Sequence, residues 1–438
     1  MLLGLNPFRS RATRDPGATR AAHAGARCLC TLACWLAITW AVAPVAAETP
    51  LIPRKVLLGN PERVQARISP DGRFLSYLAP NEGVLNVWIA PIDRLEEATP
   101  VTKDTASGVK EHLWAYTNRH VLHLQDDSGD EHWRLLATDI RTGATRDLTP
   151  FEGVQARLVG LTRADPDRVL VALNRRDPRR HDLYAADLSD GSLTLVESCP
   201  PGGVSWVIDE SGAARYVVRL TSDGGAEWLR RDQQGAWTPG LAVPQEDLLT
   251  TQPIGFDASG RTLYMLDSRG RDTSALVAFD TETGLDEVIV TDARSDIGGV
   301  LIDPSSRAVQ AAMTDRLRPR WRPIDTSVTR DVLALERLGE GAFWVVGRTL
   351  DDRLWVVSIP DDDGPAFYYL HDRSTGVSTP LFAHSSQLKD APLAPMRPVV
   401  IESRDGLEMV SYLTVPPGSE SGVIVGGGRA GGDDVRLR

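Results

Sequence analysis

Residues 253–290 read PIGFDASGRTLYMLDSRGRDTSALVAFDTETGLDEVIV. Short apolar runs alternate with clusters of Asp, Gly, Ser and Arg. Pro253 to Asp257 reads as an inner strand, and Ala258 to Arg261 turns the chain. Thr262 to Asp267 and Ala275 to Asp280 read as the second and third strands, and Glu287 to Val290 as the outer edge. Val, Leu, Tyr and Phe suit a pleated, half-buried surface. Gly and Asp suit the turns, where a hairpin needs positive φ or a side chain that bonds its own backbone. One such unit is a small antiparallel sheet that cannot bury both faces alone.

The same layout recurs. The first turn of each unit falls near Asp71, Asn118, Asp165, Glu210, Asp257, Asp303 and Asp351, at spacings of 47, 47, 45, 47, 46 and 48 residues. A period of about 40–50 residues with several strands per unit marks a β-propeller. A two-sheet sandwich would not hold that beat over seven units, so the predicted fold is all-β, a seven-bladed propeller over residues 48–386. The sixth unit is irregular: Val328 to Leu338 (VTRDVLALERL) reads as one or two helical turns instead of a strand.

The 438 residues carry a formal charge of −11, with 42% hydrophobic and 24% charged residues. That composition excludes general disorder. The acidic balance argues against nucleic acid as a partner, since a phosphate backbone demands a basic face.

The N-terminus reads as an export signal. Arg9, Arg11, Arg14, Arg20 and Arg27 precede a 16-residue apolar run, Cys28 to Ala43, and Val45-Ala46-Ala47 supplies small residues at a cleavage site. Residues 1–47 are therefore expected to be a signal peptide cut after Ala47, giving a periplasmic or secreted protein with no membrane attachment after cleavage. A membrane anchor is the competing reading, but the run falls short of the roughly 20 residues a span needs. A lipoprotein signal at Cys34 fits less well. Cleavage would leave a charge of −15 and Cys199 as the one cysteine, so no internal disulfide is expected. Cys199 reads as a core or loop residue and not as a catalytic thiol.

After the seventh unit the pattern breaks. Ser385 to Pro398 (SSQLKDAPLAPMRP) is a Pro-containing connector, followed by Val399 to Ser403, the turn Arg404-Asp405-Gly406, and Leu407 to Val415. The hairpin VVIESRDGLEMVSYLTVPPG, ending at Gly418, resembles the opening of the α/β-hydrolase domain in the prolyl oligopeptidase family of serine peptidases. The preceding LAPMRP is similar to that family's linker, and Gly129 to Leu135 (GDEHWRL) is similar to its bacterial members. The resemblance spans about residues 54–418. It implies a propeller that restricts a hydrolase domain to small or unstructured peptides, with only that domain's opening hairpin in residues 387–438. It also implies a Ser-Asp-His triad on the hydrolase domain, whose serine sits on a G-x-S-x-G elbow.

This chain contains no G-x-S-x-G and no His-Gly pair of the kind that shapes the family's oxyanion hole. Its histidines, at 23, 112, 120, 123, 132, 181, 371 and 384, all fall in the leader or the propeller. No catalytic residue is assigned, and the chain as given is expected to be inactive. Gly422 to Arg438 (GVIVGGGRAGGDDVRLR) fits the family poorly, which suggests a product cut short near residue 420; a natural disordered tail is the other reading. The runner-up function is a stand-alone periplasmic propeller that binds a protein partner. Oligomeric state is not legible.

Several smaller constellations stand out along the chain. Asp126, Asp127, Asp130 and Glu131 share one hairpin of the second unit. They could hold calcium, but a solvated turn is the simpler reading. The family resemblance implies a third use, contact with a substrate's amino terminus, for which Glu131 is the candidate. Asp361 to Gly364 reads as a turn, and Arg175-Arg176-Asp177-Pro178-Arg179-Arg180 as a solvated turn in preference to an anion site. A sialidase-type Ser-x-Asp-x-Gly-x-x-Trp box is absent. No cofactor and no metal are assigned.

Overall fold

The computed structural model describes residues 51–126, 129–339 and 342–416. The proposed signal peptide, the tail from Gly422 and Asp127 lie outside the described residues. Among those described, seven antiparallel sheets follow one another in chain order, each built from consecutive strands. They are the blades of a β-propeller.

Blade 5 shows how the sequence builds a unit. Its strands are Gln252–Phe256, Thr262–Asp267, Ala275–Asp280 and Asp286–Val290. In the first turn Asp257 Oδ1 accepts from the backbone N–H of Arg261 and Thr262, each at 3.1 Å. In the last turn Asp280 Oδ1 accepts from Glu282 and Thr283 at 2.9 Å, and Gly284 takes φ +74°, which a side chain would resist. The faces between blades are apolar. Tyr216 and Trp228 of blade 4 pack with Phe256, Leu263, Met265 and Phe279 of blade 5. Each such side chain contributes about 1.5–3 kcal/mol on burial.

Blade 6 has three strands, Ile297–Ile302, Val309–Asp315 and Pro319–Pro323. Pro319 and Pro323 begin and end its outer strand, an edge position where Pro is tolerated. The helix Thr329–Glu336 follows and places Val332 and Leu335 against Trp321, Phe343 and Trp355. This is the helical insertion expected from Val328 to Leu338.

The ring closes by side-chain packing, with no strand exchanged between its ends among the described residues. Ala66, Ile68, Leu75 and Tyr77 of blade 1 share a core with Leu354, Val356 and Tyr368 of blade 7. Gln65 N–H donates to Tyr368 Oη at 3.1 Å, Leu350 N–H to Pro70 O at 2.8 Å, and Glu62 N–H to His384 O at 2.9 Å.

Beyond blade 7 a two-stranded hairpin pairs Met396–Glu402 with Glu408–Thr414. It starts three residues before the strand expected at Val399, because Met396 already pairs with Thr414. Val399, Val400, Ile401, Met409 and Tyr412 are between 39% and 48% exposed, so neither face of the hairpin is fully covered.

Candidate functional site

In a four-stranded up-and-down blade, the turns between second and third strands all lie at one end of the ring. The hairpin is fastened at that end. Arg316 pairs with Glu408, and Tyr412 Oη donates to Leu317 O at 3.0 Å. Arg318 donates to Met396 O at 2.8 Å and to Asp362 Oδ1 at 2.7 Å. Blades 6 and 7 thus carry the hairpin, while the turns of blades 1 to 5 at this end remain free of it among the described residues. Beside it lies a cavity of about 530 Å³ lined by Arg318, Asp361, Phe367, Tyr369 and Met396. Burial, and then a hydrogen bond with Asp363, push the Asp361 carboxyl above its usual range.

The second-blade loop reaches the same end. Glu131 is exposed, has φ +59°, and its carbonyl accepts from Gln155 Nε2 at 3.4 Å. Asp130 is committed to its neighbour His132, accepting from its N–H at 3.0 Å. Asp126 is buried, and its Oδ1 has no hydrogen-bond partner among the described residues. Among the described residues no group of three His, Cys, Asp or Glu is arranged to hold a metal ion.

The basic turn of blade 3 divides unevenly. Arg176 pairs with the buried Asp182, and Arg179 and Arg180 lie 3.4 and 3.5 Å from Asp177. Arg175 has no carboxylate partner among the described residues and instead lies over the Phe151 ring, 4.1 Å from its centroid. Cys199 is buried, with its N–H donating to Asp182 Oδ1 at 2.7 Å. Burial, and then Asp182, push its thiol up, which disfavours the reactive thiolate.

Two constellations carry no local signal in the sequence. At the end opposite the hairpin, first-turn residues of distant blades meet. Arg307 Nε of blade 6 lies 2.9 Å from Glu210 Oε1 of blade 4, and Arg163 Nη2 of blade 3 donates to Ser305 O of blade 6 at 2.9 Å. Arg163 is also 4.0 Å from Glu210. Blades 3 and 6 are as far apart as a ring of seven allows, so these contacts span the central opening. Burial, and then Glu210, push up the hydroxyl of Tyr116, which packs beside them.

The second is a Ser–His–Asp series. Ser378 Oγ is 2.9 Å from His371 Nδ1, and His371 Nε2 is 3.0 Å from Asp331 Oδ1. It resembles a catalytic triad in composition only. His371 is fully buried, Asp331 is paired with Arg373 at 2.8 Å, and Trp355 closes over both His371 and Arg373. No substrate atom could reach this imidazole. The series bolts the helix of blade 6 to the outer strands of blade 7.

No protein-family profile matches the chain. It is 42% identical over 395 residues to dipeptidyl aminopeptidase BIII of Pseudoxanthomonas mexicana, covering 88% of this chain and 57% of that protein. It is 26% identical over 388 residues to dipeptidyl peptidase family member 6 of Caenorhabditis elegans, covering 84% of this chain and 52% of the relative. The chain thus spans little more than half the length of these curated relatives. Among solved structures, a prolyl endopeptidase from a study of two such enzymes aligns with a TM-score of 0.57 at 12% identity, covering 82% of this chain and 55% of that one. A puromycin-hydrolysing peptidase of Mycobacterium tuberculosis aligns at 0.54 and 12% identity, covering 83% and 60%. These two support the fold. With seven blades, a trailing hairpin and the curated relatives taken together, the propeller portion of the chain matches the prolyl oligopeptidase family of peptidases.

Proposed function

We propose that this chain is the access-limiting propeller of an exported peptidase of this family, and that by itself it hydrolyses no peptide. The observation that carries the reading is the hairpin Met396–Thr414. It is held by Arg316 and Arg318 on one end of the ring, with Val399, Ile401 and Met409 exposed. A binding module has no use for an apolar two-stranded sheet with open edges, whereas a hydrolase domain continuing from it would extend and cover that sheet. Peptides would then meet the hairpin-side face, since the opposite opening is spanned by Arg163, Glu210 and Arg307. On this reading Glu131, in an exposed turn at the hairpin-side end, contacts the substrate's amino terminus. The Ser–His–Asp series at Ser378 supplies no catalysis, because general-base chemistry needs an imidazole within reach of the substrate.

The test is an assay of the purified chain on peptide nitroanilides, together with labelling by a serine-directed fluorophosphonate. Neither product nor label is expected. Hydrolysis that the inhibitor abolishes would overturn the proposal.

A further inference from the structure

The reading above leaves open what part of a peptide the hairpin-side face recognises. Blade 3 offers one chemistry. Its second strand, Arg168–Asp177, ends in the turn to Arg180–Asp187, which lies at the hairpin end of the ring. Of the four arginines there, Arg176, Arg179 and Arg180 are matched to Asp182 and Asp177. Arg175 is exposed and meets no hydrogen-bond acceptor or carboxylate among the described residues. It is nevertheless placed: its guanidinium lies 4.1 Å above the Phe151 ring, and Phe151 belongs to the linker between blades 2 and 3. Stacking uses the face of the guanidinium and leaves its edge, the fork of N–H donors, free. A fork held by an aromatic plate loses less freedom on binding than a solvated arginine does. Its neighbour Asn174 accepts from Gln155 N–H at 2.7 Å, and Gln155 Nε2 donates to the Glu131 carbonyl at 3.4 Å. The residue before Arg175 is thereby tied through Gln155 to the loop that carries Glu131.

We propose that Arg175, seated on Phe151, is a carboxylate-binding residue of the hairpin-side face and biases the propeller toward peptides that bring a carboxylate there. The carboxylate is either a peptide's own C-terminus or an acidic side chain. This rests on the reading that the face meets peptides.

The experiment is equilibrium binding of short peptides to the chain at low salt. One arm compares trialanine as the free acid and as the amide. The other compares an amidated tripeptide with Glu in the middle against the same peptide with Gln. At a solvated ion pair of this kind, the carboxylate is expected to tighten binding about three- to tenfold in at least one arm. The arm that responds identifies the source. The preference should vanish in Arg175→Gln and persist in Arg179→Gln, whose guanidinium already faces Asp177. An unchanged urea midpoint verifies that both variants are folded. Peptides that bind without regard to the carboxylate, or a preference that survives Arg175→Gln, would overturn the proposal and leave the peptide-facing reading intact. If no peptide binds at all, both fall.

Discussion

Glu210 of blade 4 and Arg307 of blade 6 meet across the axis of the ring, Oε1 to Nε at 2.9 Å. The Arg307 N–H is not aligned with an acceptor, so the contact is an ion pair and not a formed hydrogen bond. Gly255 of blade 5 makes room for it, since a Cβ there would lie 2.9 Å from Arg307 Nη2. In a ring closed without strand exchange, contacts between non-adjacent blades resist opening at the seam.

Glu210→Gln is therefore expected to lower unfolding free energy by ~1 kcal/mol at low salt, and by less at high salt, because the pair is partly solvated. Urea titration at two ionic strengths measures it. An equal change at both strengths would show that the effect is not electrostatic.

Asp331 is expected to matter more. It sits 3.0 Å from His371 and 2.8 Å from Arg373, with its side chain 2% exposed. Asp331→Asn leaves the Arg373 charge with less compensation in the interior and should cost on the order of 3 kcal/mol. Ser378→Ala removes only one hydrogen bond and should cost about 1 kcal/mol. The two unfolding midpoints, measured side by side, check the order. A larger loss for Ser378→Ala would contradict the bolt described for these blades.

Acid should destabilise the propeller through blade 2. His112 and His123 are cross-strand neighbours, each about 1% exposed. Burial holds the His112 imidazole down at about 3, with Arg67 adding to it, and holds His123 down at about 4. An unfolded chain takes up these protons near pH 6.5, while the folded one refuses them. Stability is thus full above about pH 6.5 and falls as pH drops toward the folded values, by ~3 kcal/mol for each histidine at pH 4. Urea midpoints from pH 8 to pH 4 should decline, and His112→Gln should flatten the slope if its amide is accommodated beside Ser76.

The proposed export makes a chemical prediction. The mature protein, isolated from the periplasm or medium of a producing cell, should begin at Glu48. Mass spectrometry of its N-terminal peptide reads this directly. A chain retaining Cys28 to Ala43 would favour the anchor reading.

The blades were legible because their signals are local. Asp257 and Gly260, or Asp280 and Gly284, announce a turn within five residues, and the strands between them are short runs of largely apolar, buried residues. The helix of blade 6 was legible for the same reason. The brace at Glu210 was not, since Arg163 and Ser305 lie 142 residues apart and no spacing rule joins them. Arg175 was hidden differently. Its run of arginines looked uniform until the structure matched three to aspartates and left one over a ring. Glu131 was singled out by resemblance, and its exposed turn is compatible with a contact role without specifying a ligand.

The most direct test joins residues 51–416 to the remaining C-terminal part of dipeptidyl aminopeptidase BIII, the 42% identical relative, and assays peptide nitroanilides beside the chain alone. The expected result is hydrolysis by the chimera, blocked by a serine-directed inhibitor, and none by the chain. A chimera that folds yet stays silent would contradict the assignment of this propeller to a peptidase, and a chain that hydrolyses peptides unaided would contradict its proposed inactivity.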